Sequence, residues 1–145
     1  MPSFQTWVCA LSVGCFGCAT GTRQSLDEVA AIFHDDLRWG RLPAAEMAVD
    51  SSMRAAFQTH HRAWGESVQV IDVEIENLRS TALRGSARLR VSWVHAGDST
   101  DVKQSLVEEQ WESRAGAWQL RAETVIAGDP GLFGTPQPDR RTARR

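Results

Sequence analysis

Three residues have the type and the setting to move a proton: Asp36, His60 and Glu109. Asp36 shares a helical sector with Val29, Ile32 and Trp39, while Asp35 points away from it. His60 falls between Phe57 and Trp64 in an apolar stripe that begins at Met53, with His61 flanking it. Glu109 alternates with Val107 and Trp111, which places it on the inward row of a strand. A carboxylate orienting an imidazole, either Asp36 or Glu109 with His60, is what general acid–base catalysis requires. The competing reading is structural: Asp36 salt-bridged to a neighbour such as Arg41, and His60 a core histidine with its hydrogen bonds met. The structural reading is preferred.

Other chemistries have less to work with. His60 and His61 are adjacent, so on a helix their side chains diverge by about 100° and serve one metal ion poorly. His34-Asp35-Asp36 shares that fault, so neither a metal nor any other cofactor is expected. All three cysteines, Cys9, Cys15 and Cys18, precede Ala19, which removes disulfides and thiol nucleophiles from the body of the chain. Tyrosine is absent, and phenol chemistry with it. Trp64, Trp93, Trp111 and Trp118 fall on inward rows, and His95 ends the row of the second strand. Trp64, Trp93, Trp111 and His95 are the candidates to line a ligand cavity, with plain core packing as the simpler use of the tryptophans.

The elements that must position these groups follow from periodicity. Ser25-Leu26-Asp27-Glu28 has the form of a capping box and opens a helix carrying Leu26, Val29, Ala30, Phe33 and Leu37, which stops at Gly40. Pro43 suits the first turn of a short second helix. Asp50 or Ser51 can cap a third, with Met53, Phe57, His60 and Trp64 on its apolar stripe and Gly65 at its end.

After Gly65 the period becomes that of strands. Ile71, Val73 and Ile75 alternate with Asp72, Glu74 and Glu76, and Ala87, Leu89, Val91 and Trp93 alternate with Arg88, Arg90 and Ser92. Two more strands, about 102–113 and 118–126, join through Arg114-Ala115-Gly116-Ala117. The outward charges run acidic, basic, acidic along the first three strands, which favours a meander in chain order with Asp72 near Arg88. Closing the last hairpin at Ala115-Gly116 sets Trp111 opposite Leu120 and Ser113 opposite Trp118. Val102 and Leu106 disagree in phase with Val107 and Trp111, which predicts a β-bulge near Leu106–Glu108.

At 145 residues the chain holds one domain, and 16 basic against 18 acidic side chains give no reason to invoke nucleic acid. The apolar stretch Phe4–Ala19 is shorter than the about 20 residues a spanning helix needs and fits a signal-peptide core. Leu11-Ser12-Val13-Gly14-Cys15 resembles a bacterial lipobox, with Ser12 where Leu is usual. The resemblance implies lipidation at Cys15, with Cys18 as the alternative. The chain divides into a signal and lipobox region (1–18), a linker (19–24), the domain (25–127) and a basic tail (128–145) expected to be disordered.

Helices followed by an antiparallel sheet give an α+β class. The segments FHDDLRWG, HHRAWG and EEQWESRAGAWQL, within about Ser25 to Ile126, resemble the nuclear transport factor two-like superfamily, which includes SnoaL-like polyketide cyclases and ketosteroid isomerases. The resemblance implies N-terminal helices packed on a strongly curved four-stranded antiparallel sheet, cone-like, with a cavity between them. The tyrosine that ketosteroid isomerases place at the oxyanion has no counterpart here. No segment matches the Asp–His arrangement of the cyclases, so no family role is carried to a residue.

The function expected is an envelope-anchored, non-catalytic binding or scaffolding module. Its partners would be the membrane through the lipid, on the periplasmic side of the outer membrane, and a small hydrophobic ligand or an envelope protein. The alternative is a SnoaL-like, metal-independent enzyme of isomerase, cyclase or dehydratase type acting on a hydrophobic small molecule. A homodimer through the sheet is a third reading, which the charged outward rows disfavour.

Overall fold

The computed structural model describes residues 24–134. Cys15, Cys18, the 1–18 leader and the end of the tail from residue 135 lie outside the described residues. Helix α1 (Leu26–Arg38) opens with the expected reciprocal cap. The Glu28 N–H donates to the Ser25 hydroxyl (3.4 Å), and the Ser25 N–H donates to the Glu28 carboxylate (3.1 Å). Helix α2 (Leu42–Glu46) carries Pro43 in its first turn, where a missing N–H costs nothing.

Helix α3 (Arg54–His61) starts later than the sequence suggests, because Asp50 caps a turn rather than the helix. The Asp50 carboxylate accepts from the Ser52 hydroxyl (2.5 Å) and the Ser52 N–H (2.9 Å) and pairs with Arg121 (2.5 Å). Those Ser52 bonds, aided by Arg121, hold its pKa down at about 2. This buried carboxylate fixes the α2–α3 connection to the sheet beside a short parallel bridge, Val49 to Leu120.

Strands β1 (Val68–Ser80), β2 (Arg84–His95), β3 (Lys103–Arg114) and β4 (Ala117–Gly128) form one antiparallel sheet in chain order, the meander expected. Trp111 lies opposite Leu120 and Ser113 opposite Trp118, also as expected. The turn between β3 and β4 has positive φ at both Ala115 (50°) and Gly116 (84°), the geometry that matches strand twist in a two-residue hairpin. At Gly85 a Cβ would collide with the Leu26 side chain, so glycine there lets α1 close on β2.

Four expectations are corrected. Strand β3 has no bulge; it pairs with β2 in unbroken register, and its buried row is Ser105, Val107, Glu109 and Trp111. Two inward polar residues imitate a phase change. The extra residues sit on β4, at Arg121 and Ile126, and on β1, at Ile71 and Glu76. The bulge at Ile71 leaves that side chain exposed, so Val68, Val70, Val73 and Leu78 form the inward row of β1. Asp72 does not meet Arg88: with Glu74 opposite Arg90, Asp72 falls opposite Ser92, and it pairs with Arg38 instead (3.6 Å). The opposed charges that do form are Arg90 with Glu76 and, as cross-strand neighbours, Glu74 with Arg90 and Arg88 with Glu108. Finally, the first part of the segment expected to be disordered forms a 3₁₀ turn, η1 (Pro130–Phe133), whose Leu132 is fully buried. Its start is capped by Asp129, which accepts the Gly131 N–H (2.8 Å).

The core has two parts. Leu26, Phe33 and Leu37 of α1, Val49, Met53 and Phe57 pack with Trp111 and Leu120. Val68, Ala87, Leu89, Val91, Trp93 and Val107 of the sheet pack with Leu132.

Candidate functional site

Two carboxylates stand side by side in the interior. Glu109 on β3 and Glu123 on β4 are direct cross-strand partners, and both are buried. Like charges in that position repel, and burial of either one is costly unless it is paired and hydrogen-bonded. Each therefore has an imidazole. His34 Nε2–H donates to Glu109 Oε1 (2.9 Å), and Trp111 Nε1–H donates to Oε2 (2.9 Å). His61 Nε2–H donates to both oxygens of Glu123 (2.9 and 3.1 Å), and His60 Nδ1–H adds a third bond to Oε1 (3.1 Å). Burial pushes the Glu123 pKa up, but the bonds from His60 and His61 outweigh it and hold the group below the ordinary carboxylate value.

His34, His61, Glu109 and Glu123 line one narrow cavity with Leu37, Trp64, Val73, Leu89, Val91, Val107, Leu132 and Phe133. Its free space is about 10 Å³, room for about one water. His34 Nδ1 and His61 Nδ1 are both buried and have no hydrogen-bond partner among the described residues. Because a carboxylate only accepts, the Nε2 of each ring carries the proton, and in the neutral ring the bare Nδ1 is an acceptor.

Beside this cavity lies an open cleft of about 830 Å³ between α3, β4 and η1. Glu123 and Phe133 border both spaces. His60 lies on the cleft with Thr59, Arg62 and Thr124, about one-third exposed, and its ring stacks on Phe133 at 4.8 Å. Phe133 stacks in turn on Trp64 (6.3 Å, 10° between planes), and Trp64 Nε1–H donates to the Leu132 carbonyl (3.0 Å).

Of the residues singled out from the sequence, Glu109 is in the cavity and His60 is at its outer edge. Asp36 is elsewhere. Its carboxylate pairs with Arg41 (2.7 Å) on an open groove of about 350 Å³ lined by Ile32, Met47 and Trp118. Trp93 and Trp111 are fully buried, with Nε1–H bonds to Ser105 Oγ (2.9 Å) and Glu109, so their rings are core. Trp64 does line the cavity, whereas His95 is exposed, its ring perpendicular to Trp93 with centroids 5.1 Å apart. Among the described residues no three His, Cys, Asp or Glu side chains gather as a metal ion would need.

Sequence reasoning missed His34, His61 and Glu123. Met53, Phe57 and His61 repeat at i+4, an available signal, but Phe57, His60 and Trp64 fit a helical stripe equally well. Glu123 was hidden by the extra residue at Arg121. Plain alternation from Leu120 selects Ala122 and Thr124, whereas the bulge turns Glu123 inward.

No protein-family description matches the sequence, and no curated protein does. Two solved structures share its shape. A SEC-C motif-containing protein from Rhodopseudomonas palustris superposes with a TM-score of 0.60 at 13% identity, covering 71% of this chain and 80% of that one. A protein of unknown function with a cystatin-like fold from Nostoc punctiforme gives 0.53 at 15% identity, covering 73% and 90%. The likeness is one of fold: α+β, with a few helices and a four-stranded antiparallel sheet of the cystatin-like kind.

Proposed function

We propose that the chain is a non-catalytic binding or scaffolding module of the bacterial envelope, anchored by lipid at Cys15, with a cone-like domain of the nuclear transport factor two-like type. Four extra residues in β1 and β4 support the curvature this reading needs, since each bulge bends its strand. The observation that carries the non-catalytic part is the cavity itself. With Leu132 and Phe133 in place the buried His–Glu groups leave about 10 Å³, too little for an organic substrate, and Asp36 lies apart from them. Partners follow as a membrane through the lipid and a small hydrophobic ligand or envelope protein. Cys15→Ala is expected to leave an unprocessed precursor and to abolish partitioning into detergent. Loss only with Cys18→Ala moves the anchor, and no lipid on either residue defeats the envelope reading.

One observation favours the second reading, a metal-independent enzyme acting on a hydrophobic small molecule. His60 is accessible, Glu123 holds its Nδ1–H, and its Nε2 has no hydrogen bond among the described residues, the arrangement of an oriented base at the wall of an open cleft. His60→Phe that stays folded yet loses captured ligand or turnover supports the enzyme. A variant with both unchanged leaves the module.

A further inference from the structure

The interior groups His34, Glu109, His61 and Glu123 have no task in a scaffold. A core position on facing strands is served as well by two apolar side chains, without the repulsion of opposed carboxylates or the cost of bare buried nitrogens. Nothing in the described chain bonds His34 Nδ1 or His61 Nδ1, although both residues line the same cavity. Two of the residues that line it, Leu132 and Phe133, belong to η1. Leu132 is fully buried among Val91, Trp93 and Val107, and Phe133 sits clamped between His60 and Trp64. The segment is short and follows the last strand. Among its described attachments are the Trp64 bond to the Leu132 carbonyl and these two side chains.

We propose that this cavity is the closed form of a ligand site: Leu132 and Phe133 occupy the place of an apolar ligand body, and the bare Nδ1 atoms of His34 and His61 receive its hydrogen-bond donor. The inference rests on the binding-module reading and specifies its ligand as a compact, uncharged, mostly apolar molecule carrying a hydroxyl group. The donor requirement follows from the rings' tautomer, since Glu109 and Glu123 take the Nε2 protons and leave acceptors. A charged head is disfavoured because the remaining lining is hydrocarbon and both carboxylates already have partners.

The test uses Leu132→Ala, which removes the buried part of the plug, with phenol and toluene as probes of equal shape that differ by a hydroxyl for a methyl. A merely apolar cavity prefers toluene, because phenol gives up hydrogen bonds to water on entry. The proposed site prefers phenol, by about tenfold in Kd measured calorimetrically, for one made hydrogen bond against one lost. Adding both His34→Leu and His61→Leu to Leu132→Ala reverses the preference, because one hydroxyl proton needs only one of the two acceptors. The ring ¹⁵N resonance of His34 or His61 Nδ1 shifts on phenol binding. Tighter binding of toluene, or binding of neither probe by the folded variant, overturns the proposal. Should Leu132→Ala fail the circular-dichroism check for folding, the same comparison is made in Phe133→Ala, a half-buried position. These outcomes leave the detergent-partitioning result for Cys15 untouched, so failure of the ligand site and failure of the envelope reading are told apart.

Discussion

His34 and Asp36 stand two residues apart on α1 and meet opposite surroundings. His34 is buried, bonded to a carboxylate that another chemistry-bearing side chain also holds. Asp36 is the half-buried arm of a surface fork in which the exposed Arg41 bonds both Asp36 (2.7 Å) and the exposed Asp35 (2.5 Å). Both regions are hydrogen-bonded pairs at similar distance, yet they differ in what surrounds them. In the groove, water competes for every charge and salt screens it. In the interior, hydrocarbon surrounds the pair, so removing one partner strands the other where no solvent replaces it. Distance alone therefore says little about which pair matters.

The sharpest way to break the comparison is to remove an interior carboxylate. Glu109→Ala strands the His34 and Trp111 donors and is expected to cost about 3 kcal/mol in urea unfolding. His34→Leu combined with Glu109→Leu should recover part of that, because two apolar groups leave fewer orphaned donors. A double variant no more stable than the single one would mean that the interior tolerates unpaired donors, and the distinction between the regions would fall.

Acid titration separates the regions next. The folded pKa of Glu123 lies below its ordinary 4.5, so near that pH the unfolded chain binds more protons. Stability from this group is complete above about pH 4.5 and drains away as pH falls through the folded value. Glu123→Gln is expected to be less stable at neutral pH but to lose less on acidification, giving a flatter acid limb in thermal melts. An unchanged acid limb would show that Glu123 is not a major source of acid sensitivity.

The smallest effect belongs to the groove. Asp36→Asn should shift the melting temperature least of the three, and 1 M salt should erase the difference, since the Debye length there is about 3 Å. A shift that survives high salt would make Asp36 more than a screened surface partner.

The comparison also shows how far the chain can be read. The capping box at Ser25, the change from helical to alternating period after Gly65, the meander order and the Trp111–Leu120 register were legible, because each depends on contacts between near neighbours or on a two-residue turn. His34 and His61 were not. A helix advances about 100° per residue, so adjacent polar residues straddle the edge of an apolar stripe, and only the packed partner decides which turns inward. His61 is chosen over His60 because Phe57 and Trp64 pack on its ring, and His34 over Asp36 because Glu109 meets it.

Strand phase behaves in the same way. Glu109 was visible from its row with Val107 and Trp111, but Glu123 depends on the extra residue at Arg121, which can be recognised only against the unbroken register of β3. The amino-acid sequence by itself determined the elements, their order and the amphipathic faces, since period and turn chemistry are properties of the local chain. The tertiary structure alone decided which carboxylates share the interior and which imidazoles hold them, because burial belongs to the meeting of two surfaces. It also brought Leu132 back to close the cavity, a contact that spans 68 residues from Trp64 and leaves no local mark on the sequence.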